Sequence, residues 1–176
     1  IRVAVVGAIK SGKSTFVNSL FKADYLNRGA GVVTSIVTRI RQGPYLKAKL
    51  HFKSWDEVNE EMSRALTLFP AHAWESEEAQ FDIRRESDRR ALTTALKNIQ
   101  SNLLLANGLR NTNSILIDSY LKGYDLVKGI ITSDDLSKVY EDDLFGEQKT
   151  FVGSDHLAVY LKDVLLEIKG GDMGKD

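Results

Sequence analysis

The chain has 176 residues, 43% of them hydrophobic, which is enough for one core with a smaller subdomain attached. Its 24 Lys and Arg balance 24 Asp and Glu, so bulk charge offers nothing to nucleic acid, and none is expected as a partner. The absence of cysteine excludes a disulfide scaffold and a thiolate zinc site and makes a reducing, cytoplasmic setting the easier reading. No apolar run approaches the roughly 20 residues of a membrane-crossing helix, and no signal peptide opens the chain.

Residues 1–6, Val-rich and ending at Gly7, read as a buried strand, and 13–22 as a helix with Phe16, Val17 and Leu20 on one side. Residues 23–36 are loop-like, with Gly29 and Gly31 close together. Two strand candidates flank Gly43-Pro44, and the second alternates Leu46, Ala48, Leu50 and Phe52 with Lys47, Lys49, His51 and Lys53. That gives one buried face and one wet face, and charge on the wet side discourages edge pairing. Ser54 three residues before Glu57 is a capping-box signature for a helix over about 55–69, stopped at Phe69-Pro70. Residues 75–106 are helical in composition apart from the neighbourhood of Asp82, and 111–130 carry a further helix. Ser133-Asp134-Asp135 is expected to cap a short helix through Tyr140, 141–156 to form a loop, and Val164–Ile168 a strand. Both ends have the look of a cut: the first residue is already in a strand, and 170–176 form a polar turn.

One motif carries chemistry. Gly7-Ala8-Ile9-Lys10-Ser11-Gly12-Lys13-Ser14 fits G-x-x-x-x-G-K-[ST], after an apolar strand and at the start of a helix, as phosphate binding requires. Backbone N–H groups of such a loop and helix N-terminus hold anionic phosphate oxygens. Gly7 and Gly12 allow unusual dihedrals and close approach, Lys13 reaches the β and γ phosphates, and the Ser14 hydroxyl ligates Mg²⁺. Thr15 adds a further bond to phosphate. The loop does not choose the base, since ATPases and GTPases share it. Phe21-Lys22-Ala23-Asp24 lacks the Asn or Thr of a guanine reader and sits at the end of a helix. Asp172-Met173-Gly174 has the wrong spacing for D-x-x-G, which is expected just past residue 176, after the strand at Val164–Ile168.

The stretch Leu26-Asn27-Arg28-Gly29-Ala30-Gly31-Val32-Val33-Thr34 resembles the first switch of dynamin-family GTPases, and Gly12-Lys13-Ser14-Thr15-Phe16-Val17-Asn18-Ser19-Leu20 resembles their bacterial branch. The resemblance covers residues 1–40 well and the helical block weakly. It implies a Mg²⁺-dependent GTPase. Thr34 would be the switch threonine, contacting the metal and placing the attacking water. The resemblance also implies self-association through the GTPase head and peripheral membrane contact. Many relatives carry Ser where this chain has Lys10, so the Lys10 ammonium stands where they use a bound cation, and it joins Lys13 and Thr34 as a candidate catalytic group. Its bland alternative is a solvent-facing lysine. The Leu-Pro step usual in the family is Leu26-Asn27 here.

The expected fold is α/β: a three-layer P-loop NTPase with a mostly parallel sheet and a large helical insertion. Residues 1–53 would carry the phosphate loop, switch and first strands, 54–156 the helical insertion, and 157–176 the strand leading to D-x-x-G, all within a partial GTPase domain over 1–176. An ATP-binding enzyme on the same loop, or a nucleotide-binding scaffold with little turnover, stays open on the residues alone. Arg84, Arg85, Arg89 and Arg90 could form a basic patch, but Asp82, Glu86 and Asp88 among them favour a self-compensated face. His51, His72 and His156 lack metal-ligand spacing, and Trp55 and Trp74 read as packing residues.

Overall fold

A computed structural model of the chain describes residues 12, 13, 15, 16, 36–67, 80–103, 112–132 and 134–169. The chain divides into two compact units, Ile1–Phe52 with Ser137–Asp176, and Lys53–Leu136. The strand expected over residues 1–6 lies outside the described residues, as does the rest of the first helix beyond Lys13, Thr15 and Phe16.

The first unit holds a sheet of four described strands: β1 Val37–Gly43, β2 Lys47–Phe52, β3 Ser137–Glu141 and β4 Leu161–Lys169, in the order β1-β4-β2-β3. β1 and β4 run parallel, from Val37 beside Asp163 to Gly43 beside Lys169. β2 is antiparallel to both β4 and β3. The mostly parallel sheet expected from the motif is therefore corrected: among the described strands the sheet is mixed and mostly antiparallel. The reason is local. Only Pro44, Tyr45 and Leu46 separate β1 from β2, and so short a link reverses the chain. Parallel neighbours need a crossover of about a dozen residues or more, which β1 and β4 have and β1 and β2 do not. β4 then fills the place between the two.

The alternation read in β2 holds: Ala48, Leu50 and Phe52 are buried, and Lys47, Lys49 and His51 are half-buried on the other face. β2 is an interior strand, so its charges do not guard an edge. They meet cross-strand partners, Lys47 with Glu141 at 3.1 Å and His51 with Asp163 at 2.5 Å. β4 carries a register shift where His51 pairs with Asp163 but Phe52 with Leu161. Lys162 is the extra residue, and the shift lets Leu161 and Val164, three apart, both bury.

β3 is a second correction. The capped helix expected through Tyr140 is a strand, because Lys138-Val139-Tyr140 finds a ladder along β2 that no local signal announces. The loop expected over 141–156 is also replaced: it folds as a 3₁₀ turn at Asp142–Glu147 and two short helices, Gln148–Gly153 and Asp155–Ala158. Phe145, Phe151 and Leu157 are the buried side chains that draw it onto the sheet. The Phe151 ring stands edge-on to Phe52 at 5.8 Å.

The second unit is helical: α1 Trp55–Leu66, α2 Glu86–Leu103 and α3 Thr112–Val127. The capping box is formed as read. Ser54 Oγ accepts from the Glu57 N–H at 3.2 Å, and Glu57 Oε2 accepts from the Ser54 N–H at 2.8 Å. Val58, Met62 and Ala65 put one apolar stripe of α1 inside, and α1 and α2 each pack on α3. Helix within 75–106 is confined, among the described residues, to α2, because residues 80–85 form a pinned turn. A part-buried polar knot joins α1 to α3. Glu61 Oε2 accepts from Lys53 Nζ at 2.6 Å and from the Tyr120 hydroxyl at 2.7 Å, with Lys53 and Tyr120 themselves 2.9 Å apart.

Candidate phosphate-binding site

Of the residues assigned to nucleotide binding, the structure describes Gly12, Lys13 and Thr15. Gly7, Ala8, Ile9, Lys10, Ser11, Ser14 and Thr34 lie outside the described residues. Gly12 has φ +84°, the left-handed region in which a side chain is strained. A Cβ built there meets nothing within 4 Å, so the requirement for glycine is one of backbone conformation and not of space. The Gly12 carbonyl accepts the Phe16 N–H at 2.8 Å, which makes Gly12 the residue that opens the helix. Lys13 is therefore the first helical residue, half-buried, and Thr15 lies exposed in the same turn. A left-handed glycine before a helix start turns successive N–H groups toward one concavity, and first-turn N–H groups have no acceptor within the helix.

β1 begins at Val37, three residues after Thr34, at the end of the sheet where Asp163 stands. Asp163 is held there by His51 at 2.5 Å and Arg39 at 3.7 Å. The sequence offered no signal for this cluster, since His51 and Asp163 are 112 residues apart.

The arginine-rich stretch resolves largely as a self-compensated face. Arg84 pairs with Asp82 at 2.7 Å, Arg85 with Asp88 at 2.7 Å and Arg90 with Glu86 at 2.5 Å. Arg89 departs from that reading. Its Nη1 donates to the Ile83 and Arg84 carbonyls at 2.7 and 2.8 Å, and its guanidinium lies 4.1 Å from the Tyr124 ring centroid. Trp55 packs on the same ring at 5.6 Å, as a packing residue should, and Trp74 lies outside the described residues. The Arg84 hydrogen bond holds the Asp82 carboxyl down to about 2, below its usual 3.8, with the Arg84 and Asn59 N–H donors assisting against partial burial.

Among the described residues no group of His, Asp and Glu is arranged to hold a metal, and no helix is long and apolar enough to cross a membrane. No curated protein matches the chain. The family model described as the dynamin family matches residues 3–122, a span that takes in the glycine loop, the Thr34 segment, β1, β2, α1 and α2. That span is more than half of the chain, which therefore belongs to the dynamin family and carries a GTPase-domain region of that family.

Proposed function

We propose that this chain binds GTP with Mg²⁺ through Gly7–Ser14 and hydrolyses it to GDP and phosphate. The observation that carries the reading is the left-handed Gly12 opening a helix at Lys13, inside a G-x-x-x-x-G-K-S motif and within the span matched to the dynamin family. In this reading the loop amides and Lys13 bind the β and γ phosphates, Thr15 adds a bond, and Thr34 orients the attacking water. Ser14 and Thr34 are the residues that would hold Mg²⁺, which supplies charge neutralisation on the phosphates when bound. The water oxygen forms the new bond to the γ phosphorus as the bond to the bridging oxygen breaks, and GDP leaves with the electron pair. Positioning and charge stabilisation are the protein's share of the catalysis.

Lys10 belongs to the same proposal. Its ammonium takes the place of a monovalent cation near the bridging oxygen, so turnover is expected to be indifferent to K⁺ in the wild type and to become K⁺-dependent in Lys10→Ala. Strong K⁺ dependence of the wild type overturns this role. Self-association through the GTPase domain and peripheral membrane contact from a cytoplasmic setting complete the reading, on the strength of family membership.

The test is titration with fluorescent GTP and ATP in Mg²⁺, beside Lys13→Ala. Preference for GTP, weakened by at least about tenfold in the variant, supports the reading. Preference for ATP overturns the base assignment, and binding of neither nucleotide overturns the activity and leaves a scaffold.

A further inference from the structure

Asp163 is held from both sides. It stands on β4, which lies between β1 and β2. His51 Nδ1 on β2 is 2.5 Å from its Oδ1, and Arg39 Nη1 on β1 is 3.7 Å from its Oδ2. The Asp163 side chain is 20% exposed and that of Arg39 66%. β4 carries its register shift at the same place: with Lys162 as the extra residue, Leu161 turns to the buried face and Asp163 keeps the other. Val37, the first residue of β1, is the cross-strand neighbour of Asp163. Three residues of chain reach at most about 11 Å, so connectivity alone brings the Thr34 segment into the sheet at the strand end that Asp163 fixes. Glu167, on the same face of β4, supplies a comparison. It accepts from Arg41 Nε on β1 at 2.8 Å and stands opposite Lys47 of β2, with like chemistry about 13 Å farther along the strand.

We infer that Asp163 is a positioning residue for the hydrolysis proposed above. Each of its carboxylate oxygens faces a partner on a different strand, so the first residues of β1 have one arrangement against β4 and β2. The segment that presents Thr34 therefore starts from a fixed point, and Thr34 meets the metal and the attacking water without a search. Asp163 acts through Arg39, His51 and the β1 backbone, not by contact with the nucleotide. The inference rests on the GTPase reading and adds to it a residue outside the glycine motif and the Thr34 segment. Asp163→Asn keeps the shape of the side chain and removes the charge that Arg39 meets. A loosened anchor displaces the groups beyond it, and a displacement of about 1 Å far from the chemistry is enough to cost a large factor in a positioned step.

The test is dissociation of fluorescent GTP from the full chain, timed in Mg²⁺ and in EDTA, for wild type, Asp163→Asn, Glu167→Gln, Thr34→Ala and the Asp163→Asn/Thr34→Ala double variant. Mg²⁺ should slow dissociation in the wild type. That slowing should shrink about tenfold in Asp163→Asn and in Thr34→Ala, and no further when the two are combined, while the rates in EDTA stay alike. In Glu167→Gln the slowing should stay within about twofold of wild type, because its ion pair ties the same strands away from Thr34. An undiminished Mg²⁺ effect in Asp163→Asn, an equal loss in Glu167→Gln, or losses that multiply in the double variant each overturn the inference and leave the GTPase reading standing. Arg39→Gln, at an exposed side chain, reads the same link with little risk to folding. It should reduce the Mg²⁺ effect by at least about threefold, and no reduction overturns the inference. A wild type that binds no GTP, or binds it with no effect of Mg²⁺, overturns the underlying reading and the inference with it.

Discussion

The Asn59 side-chain amide on α1 donates to the Asp82 carboxylate at 3.0 Å, and its oxygen accepts the Ile83 N–H at 2.9 Å. One buried side chain thereby pins the turn that leads into α2. From the other side, Asp88 accepts the Asp82 N–H at 2.9 Å, so the turn is gripped by carboxylate and amide together.

Asn59→Leu should cost about 1–3 kcal/mol of unfolding free energy, because it leaves the N–H of fully buried Ile83 without its acceptor. Urea denaturation followed by circular dichroism measures it. A variant as stable as wild type would show that the turn finds another acceptor.

Asp82 sets an acid dependence with a definite sign. Its carboxyl is held at about 2 in the folded chain against 3.8 ordinarily, so the folded state favours the charged form. The stability this contributes is present above 3.8 and is lost as pH falls through the window from 3.8 to about 2. Urea midpoints measured between pH 5 and pH 2 should fall less steeply in Asp82→Asn than in wild type, and parallel slopes would remove Asp82 as the cause. Because Asp82 and its partner Arg84 are partly exposed, added salt should shrink the difference.

In the Lys53–Glu61–Tyr120 knot the carboxylate matters more than the hydroxyl. Tyr120→Phe removes one donor and should cost about 1 kcal/mol. Glu61→Gln leaves the Lys53 ammonium, mostly buried, with no anion, and should cost about 2 kcal/mol. Chemical denaturation of both variants checks the order, and the reverse order would make Tyr120 the centre of the knot.

Gly12→Ala forces a Cβ into a left-handed backbone and should cost about 1–2 kcal/mol at the helix start, although space for the methyl exists. In the proposed site the lost geometry should weaken GTP binding as well, read by the same fluorescence titration. Unchanged affinity would separate the glycine from phosphate recognition.

Much of this was legible in the residues. The capping box at Ser54 and Glu57, the two-residue alternation of β2 and the glycine motif ahead of a helix all rest on contacts or periods within a few residues. β3 is not legible locally, because Ser133-Asp134-Asp135 has the composition of a cap, while the ladder that makes 137–141 a strand comes from β2, some ninety residues earlier. The 141–156 segment looked polar, and only the placement of Phe145 and Phe151 against a sheet gave it helical turns.

The sequence by itself determined the glycine motif ahead of a helix, the family, the capped α1 and the wet and dry faces of β2, since each is written in neighbouring side chains. Only the tertiary structure decided that β4 lies between β1 and β2, that the described sheet is mixed, and that Asp163 meets His51 and Glu167 meets Arg41. Those partners are separated by 112 and 126 residues, and which strand fills a gap in a sheet depends on how distant apolar faces pack, a competition that no local period records.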